Sequence, residues 1–291
     1  MTRLDQELVA RGLARSRGHA RDLVEHGVVR VAGVVALKPA LAVGSDDVIS
    51  LDVAAAQAGR TVLDAHWVSR AAGKLLGAFE DLSGGGPTVS GRRAADIGAC
   101  TGGFTQVLLE RGAVHVYAVD VGHDQLAASL RQDPRVSDLF GCNARELTAA
   151  DIDGPVDLVV ADLSFISLTL VIGRLAEITV PNGDLLILIK PQFEVGRSGL
   201  DGRGIVRPGT WRRDALRSVL KAAHDAGLHL ADLVVSRTRG QDGNMEFVAW
   251  LRRSTCGTPG QPGVGTTWDS VSERIDALIA ATASATNGEH G

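Results

Sequence analysis

Cysteine is scarce in this 291-residue chain. There are three, Cys100, Cys142 and Cys256, an odd number without the paired close spacing of a metal site. That argues against a disulfide framework and a thiolate-bound zinc, and fits a reduced, cytoplasmic protein. Long apolar runs are missing as well, and none approaches the roughly 20 residues that a membrane-spanning helix needs. The amino terminus is charged and polar and carries no secretory leader pattern. No histidine lies near Cys100 in sequence, so a thiol nucleophile there lacks a base, and a small residue in a turn is the simpler role. The G-x-G-x-x-G that cradles a pyrophosphate is also absent.

What is present is ordinary in amount and uneven in distribution. Apolar residues make up 45% of the chain, enough for a large core, and the length accommodates one large domain or two unequal ones. Residues 1–44 hold seven Arg and Lys against four acids, a charge of +3, which leaves −7 for the remainder of a net −4. A basic head on an acidic body points to nucleic acid.

The chain is organised around residues 94–104, Ala-Ala-Asp-Ile-Gly-Ala-Cys-Thr-Gly-Gly-Phe. An apolar run ending in Asp96 reads as a strand. A glycine turn follows through Gly98, Gly102 and Gly103, and residues 105–111 read as a helix stopped by Gly112. Strand, glycine turn and helix open a nucleotide-binding sheet, with backbone N–H groups available to a ligand. The next apolar run ends in Asp120, at the spacing that lets a carboxylate grip a ribose diol. A ribose without a pyrophosphate fits this G-x-x-x-G-G turn, which indicates S-adenosylmethionine. Asp96, Gly98, Ala99, Thr101, Gly102, Gly103, Phe104, Asp120 and Val121 are the expected cofactor residues.

Residues 3–26 read as two helices, with stripes Leu4, Leu8, Val9 and Ala20, Leu23, Val24, and Ser16 as a cap for the second. Strands are expected over 28–31, 34–37 and 48–53. Arg3-Leu-Asp-Gln-Glu-Leu, Ala14-Arg-Ser-Arg17, Gly27-Val-Val-Arg-Val-Ala-Gly33 and Asp46-Asp-Val-Ile49 together resemble the small RNA-binding module of ribosomal protein S-four. The resemblance implies that Arg3, Arg15, Ser16, Arg17 and Arg21 face phosphates of structured RNA, which is read through backbone and shape.

Beyond a linker, Ser69 reads as the cap of a helix that carries Lys74. Residues 125–130 read as a helix broken by Asp133-Pro134, and residues 136–140 as a short strand leading to Asn143, a candidate adenine contact. Buried strands end at Asp162 and at Lys190. Residues 196–209 form a glycine- and arginine-rich loop of lid length, and residues 211–226 a helix. Residues 228–236 and 245–251 read as two strands joined by a short hairpin, so the last runs antiparallel. Residues 254–291 read as a weakly ordered tail with one amphipathic stretch, Trp268, Val271, Ile275, Leu278 and Ile279.

In an open parallel sheet the site lies outside the carboxyl ends of the strands. Asp96, Asp120, Asp162 and Lys190 share that address. Glu246 joins them at the start of the antiparallel strand, and Lys74 approaches from the side. The motifs Ser69-Arg-Ala-Ala-Gly-Lys-Leu, Gly98-Ala-Cys-Thr-Gly-Gly-Phe, Ala118-Val-Asp-Val-Gly122, Asp157-Leu-Val-Val-Ala-Asp-Leu-Ser-Phe-Ile-Ser167, Ile189-Lys-Pro-Gln-Phe-Glu-Val-Gly196 and Asn244-Met-Glu-Phe closely resemble the TlyA family. These are bacterial ribosomal RNA 2′-O-methyltransferases related to the FtsJ group, some of them labelled haemolysin. Cys100 stands where a serine is usual, and Ala72-Gly73 where Gly-Ala-His is common.

The resemblance implies a Rossmann-like α/β methyltransferase sheet, mostly parallel with its last strand antiparallel, behind a small α+β RNA-binding domain. The expected domains are 1–58 and 69–253, with a linker over 59–68 that includes His66-Trp-Val68. It further implies a Lys74, Asp162, Lys190 and Glu246 tetrad, S-adenosylmethionine as methyl donor, and ribosomal RNA as partner. No metal, membrane or obligate protein partner is expected. A ribose 2′-hydroxyl must lose its proton as it attacks a methyl group. Lys190 is the expected base, and desolvation and a neighbouring cation are what would suit a lysine to that task. The competing expectations are a membrane-acting haemolysin, a ribosome-binding factor without catalysis, and a base methyltransferase. Against the last, no Asn/Asp-Pro-Pro-Tyr-like motif or supported catalytic cysteine is present. The few residues before Arg3 suggest the subgroup with a large-subunit target alone, whereas the long carboxyl end does not.

Overall fold

The computed structural model describes residues 2–14, 20–21, 23–24, 27–44, 46–51, 66–207, 209–240, 243–254 and 267–288. The chain divides into two compact units, Met1–Ser69 and Arg70–Gly291.

In the first unit, strand β1 (Thr2–Arg3) leads into helix α1 (Leu4–Ala10). Strands β2 (Val29–Val31), β3 (Val34–Val35), β4 (Ala42–Val43) and β5 (Ile49–Leu51) follow. β2 pairs antiparallel with both β3 and β5, and β1 pairs with β4. Leu4 and Leu8, one helical turn apart, are fully buried with Ala20, Leu23, Val24 and Val29. The second strand is shorter than the 34–37 expected, and Leu37 is exposed beyond it. The β1–β4 pair has no signal in sequence, because two residues are too few to alternate. Ser16, and residues 52–53 of the third expected strand, lie outside the described residues.

The second unit is a seven-stranded sheet with helices against it. Helix α2 (Ala71–Asp81) precedes it. It follows Arg70 without a side-chain cap, so Ser69 does not cap it as expected. Then come β6 (Arg93–Ile97), α3 (Gly103–Glu110), β7 (His115–Asp120), the single turn α4 (Ala128–Arg131) and β8 (Val136–Phe140). β9 (Val156–Ala161), α5 (Ile172–Glu177), β10 (Thr179–Ile189), α6 (Trp211–Asp225), β11 (Leu228–Val235), β12 (Phe247–Arg253) and α7 (Trp268–Gly288) complete it.

The strand order is β11-β12-β10-β9-β6-β7-β8. β12 is antiparallel to both neighbours and the other pairings are parallel. Residues 158–161 of β9 and 185–189 of β10 are continuous Val, Leu, Ile and Ala runs buried on both faces, as a covered parallel sheet requires. The order reverses at β6, whose neighbours are β7 and β9, and this opens a crevice at the carboxyl edge.

Two expectations yield to packing. Residues 125–127 are not helical: the Ala127 N–H donates to the Thr101 carbonyl at 3.2 Å and ties this segment to the glycine turn. The tail is not weakly ordered over 268–288. It forms α7, which buries Val271 and Ile275 in the main core beside α6. An apolar stripe at helical spacing found a matching groove, and ions secure it. Arg274 pairs with buried Asp232, and Asp276 meets Arg213 at 2.9 Å.

Candidate active site

The register of the sheet edge brings the polar residues together. Ile189 on β10 faces Phe247 on β12, so the residues just beyond, Lys190 and Glu246, leave the sheet side by side. Asp162 follows β9, the next strand across, and α2 carries Lys74 onto the same edge. Lys74 Nζ lies 2.7 Å from Glu246 Oε2 and 3.5 Å from Asp162 Oδ2. Lys190 Nζ lies 2.7 Å from Asp162 Oδ1 and donates to Ser164 Oγ at 2.8 Å. The result is an alternating chain of charge, Glu246–Lys74–Asp162–Lys190. Lys74, Lys190 and Glu246 are all buried, at 8%, 6% and 2% exposure. Such a cluster persists only if each charge has a partner. Burial pushes the Asp162 carboxyl up, but the cations of Lys74 and Lys190 outweigh it and hold the group below its ordinary range.

The glycine turn packs closely against the rest of the protein. Gly98 and Gly102 have φ of +85° and +95°. A Cβ on Gly98 would stand 2.8 Å from the Asp162 carbonyl oxygen, and one on Gly102 would stand 2.3 Å from a methyl of Leu130. These two glycines are required by close approach of the protein to itself. Asp120 clasps the turn, accepting from the Cys100 N–H at 2.9 Å and the Gly122 N–H at 2.7 Å. Ala99, Gly103 and Phe104 are buried, Thr101 is half-buried and Val121 is exposed. Asp96 is fully buried. Its Oδ2 accepts from Thr105 Oγ1 at 2.7 Å, whereas its Oδ1 has no hydrogen-bond partner among the described residues. Burial raises the Asp96 carboxyl to about 7. Asn143 is exposed, and its Oδ1 accepts the Arg145 N–H at 3.1 Å. It lies close to Asp120, since the neighbouring Cys142 N–H donates to the Asp120 carbonyl.

In the first unit, Arg3 and Arg21 converge on one carboxylate. Arg3 forms a two-pronged pair with fully buried Asp5, at 3.0 and 2.9 Å, and Arg21 Nε reaches the same group at 3.4 Å. Arg15, Ser16 and Arg17 lie outside the described residues.

Sequence reasoning passed over several residues. Asp5 counted only as charge, although its place two residues after Arg3 was a signal. Ser164 and Gln192 sit inside the quoted motifs, and Gln192 Nε2 donates to Glu246 Oε1 at 3.2 Å. Asn244 is buried and pins the lid-length loop: its Oδ1 accepts the Val206 N–H and its Nδ2 donates to the Gly204 carbonyl. Phe165 is 91% exposed at φ +64°, and its ring lies 5.2 Å from that of Phe193. An exposed aromatic residue in the left-handed region is a costly arrangement beside the tetrad, and sequence offers no cue to backbone sign there.

Comparison with known proteins agrees with this architecture. The family profile of the FtsJ-like methyltransferase matches residues 67–253, and that of the S4 domain matches residues 2–49. The 16S/23S rRNA (cytidine-2′-O)-methyltransferase TlyA of Mycobacterium tuberculosis is 47% identical over 253 residues, covering 87% of this chain and 90% of that protein. Hemolysin A of Brachyspira hyodysenteriae is 34% identical, covering 85% of this chain and 98% of that protein. A solved structure from Streptococcus thermophilus, which also carries a hemolysin name, superposes with a TM-score of 0.69 at 33% identity and covers 98% of both chains. With this domain order, sheet and degree of identity, the chain belongs to the TlyA family, an S4 domain joined to an FtsJ-like methyltransferase domain.

Proposed function

We propose that this chain methylates the 2′-hydroxyl of a cytidine ribose in ribosomal RNA, with S-adenosylmethionine as donor. The observation that carries this reading is the buried Glu246–Lys74–Asp162–Lys190 chain at the carboxyl edge of the sheet. S-adenosylmethionine supplies an electrophilic methyl group on a sulfonium. The residues present suit it: Asp120 is a half-exposed carboxylate at the ribose position, and Asp96 keeps an unpartnered buried oxygen beneath the turn, suited to a cationic donor. Gly98, Ala99, Thr101, Gly102, Gly103, Phe104, Val121 and Asn143 shape the rest of that pocket.

In this reading Lys190, as the neutral amine, takes the proton of the 2′-hydroxyl as its oxygen bonds to the methyl carbon and the carbon–sulfur bond breaks, which leaves the donor as a neutral thioether. Asp162 holds Lys190 in place and stabilises the ammonium that forms, Lys74 holds Asp162, and Glu246 holds Lys74. Most of the acceleration comes from alignment of hydroxyl, methyl and sulfur rather than from proton transfer alone. Phe165, exposed and directly after Ser164, the hydroxyl that accepts from Lys190, offers a face on which the base of the target nucleotide stacks. Residues 1–58 form the RNA-binding domain, 59–68 the linker and 69–253 the methyltransferase domain. Arg3 and Arg21, together with Arg15, Ser16 and Arg17, hold RNA phosphates. The M. tuberculosis relative is named for both subunits, and large-subunit RNA is the primary target proposed here.

The test is methyl transfer from labelled S-adenosylmethionine to ribosomal subunits lacking the modification, mapped by resistance to alkaline cleavage. A single gap in large-subunit RNA is expected, and a second gap in small-subunit RNA would add that target. Label without a gap would mean a base methyltransferase. Lys190→Ala should abolish transfer and leave donor binding near normal, so retained turnover would overturn its role as base.

A further inference from the structure

Two arginines beside the tetrad have no acidic partner among the described residues. Arg212 lies in the first turn of α6, the helix that packs against the Pro191–Phe193 turn directly after Lys190. Arg239 lies in the β11–β12 connection, next to Gly240. A Cβ on Gly240 would stand 2.6 Å from Glu246 Oε1 and 3.3 Å from Gln192 Nε2, so this part of the connection lies against the tetrad. Arg212 is half-buried, and its Nε is buried without a hydrogen-bond partner. Arg239 is exposed, and its one protein hydrogen bond among the described residues is a long one, 3.4 Å to the Gly243 carbonyl. Burial first, and the Arg239 cation second, hold the Arg212 guanidinium below its ordinary range, so the two positive groups feel each other.

Each feature costs stability in the chain alone. A buried donor without an acceptor forfeits its desolvation energy, and two close cations repel. The positive end of α6 adds to that repulsion. Arg213, the next residue on α6, is paired with Asp276 at 2.9 Å. An anion with several acceptor oxygens removes all three costs at once, and the planar guanidinium fork fits a phosphate.

We propose that Arg212 and Arg239 form a binding site for a backbone phosphate of the RNA, flanking the ribose presented to the tetrad. The site rests on the RNA-methylation reading above. It adds to the contacts of the amino-terminal unit a grip at the reacting nucleotide itself, one that fixes the position of the 2′-hydroxyl. Arg212 and Arg239 are positioning residues, since the proposal has them touch the backbone of the substrate and not its reacting atoms.

The test uses the full chain and large ribosomal subunits lacking the modification. Arg212→Met keeps the aliphatic stem, Arg212→Lys keeps the charge and Arg239→Gln keeps the length. Binding is measured across a salt titration, alongside single-turnover methyl transfer, donor affinity and thermal stability. Each neutral variant should weaken subunit binding about tenfold and flatten the slope of log K against log salt by about one. Donor affinity should stay at the wild-type level, and thermal stability should be unchanged or higher, because a repulsion is relieved. Arg212→Lys should recover the slope. The proposal is overturned if the double variant keeps wild-type affinity and slope, if the wild-type chain does not bind subunits, or if donor affinity collapses instead. That last result would assign the arginines to the carboxylate of the methyl donor. A wild-type chain that binds subunits and transfers no methyl group would sink the activity reading, and the salt slope would still decide the phosphate site.

Discussion

Lys74 on α2 and Glu246 at the foot of β12 are separated by 172 positions in the chain and by 2.7 Å in space. This pair closes the tetrad at the end away from Lys190. Glu246 is 2% exposed and accepts a second hydrogen bond from Gln192, so its charge is balanced by the lysine alone. Glu246→Gln leaves Lys74 leaning on Asp162, which is shared with Lys190. The expected outcome is a fall in single-turnover rate of about a hundredfold with donor affinity held, plus a loss of about 3 kcal/mol in urea unfolding from breaking a buried pair. Wild-type turnover in this variant would remove Glu246 from the catalytic arrangement.

Asp96 predicts a pH dependence with a definite sign. Its carboxyl titrates at about 7 in the folded chain against 3.8 ordinarily. Between those values the unfolded chain has released the proton and the folded chain has kept it. Stability from this group is therefore present in full below about pH 4, falls as pH rises and levels off above about pH 7. The drop is on the order of 4 kcal/mol, at about 1.36 kcal/mol per pKa unit. Asp96→Asn should flatten this part of the curve in melts from pH 4 to 8 and be the more stable chain at pH 8. A variant curve parallel to wild type would show that Asp96 ionises freely.

Gly98 and Gly102 separate packing from catalysis. Gly102→Ala drives a methyl into Leu126 and Leu130, side chains that can turn aside in part, at a φ of +95°. Strain and overpacking together cost about 3 kcal/mol. Gly98→Ala meets the backbone carbonyl of Asp162, which cannot turn aside, and shifts the residue that holds both lysines. Matched by residual stability in urea, the Gly98 variant should lose the more activity by at least tenfold. Equal loss would mean that the turn and Asp162 are not coupled through this contact.

These contacts also show where the sequence stops being legible. The parallel strands were readable because β9 and β10 end in apolar runs, 158–161 and 185–189, and the antiparallel end because a short hairpin leaves no other path. The grouping of Asp162, Lys190 and Glu246 was readable from address, since strand ends converge on one edge in this topology, and Lys74 was added to it by the family resemblance. Side-chain partnership was not readable. Nothing in the pattern tells that Asp120 clasps its own turn, or that Gly98 lies close against the Asp162 carbonyl. The helix expected over 125–130 starts only at Ala128 for the same reason, because Ala127 spends its N–H on Thr101, a contact across the turn that no local propensity records.

Asp5 governs the amino-terminal arginines. It is fully buried beneath Arg3 and Arg21, both close to half exposed. Asp5→Asn keeps the shape and removes the charge that orients both guanidinium groups. RNA affinity at moderate salt should fall by about tenfold, and the unit's amides should exchange hydrogen somewhat faster, since ion pairs to half-exposed arginines contribute little to stability. Unchanged RNA affinity with faster exchange would make Asp5 a stabilising residue without influence on binding.

The carboxyl-terminal helix offers the last separation, between core and appendage. Ile275 is fully buried against the main core, and Arg274 next to it pairs with Asp232, which also accepts from the N–H and hydroxyl of Ser83. A weakly held appendage would tolerate truncation of Ile275. A core helix would not, and Ile275→Ala should cost about 3 kcal/mol in urea unfolding, in a single transition with the rest of the sheet. Arg274→Gln leaves Asp232 with its Ser83 contacts and should cost less, about 1 kcal/mol, because the arginine is half exposed. Methyl transfer well below the melting temperature should survive both changes, since neither residue touches the tetrad. An Ile275→Ala chain as stable as wild type would return α7 to the status of a tail.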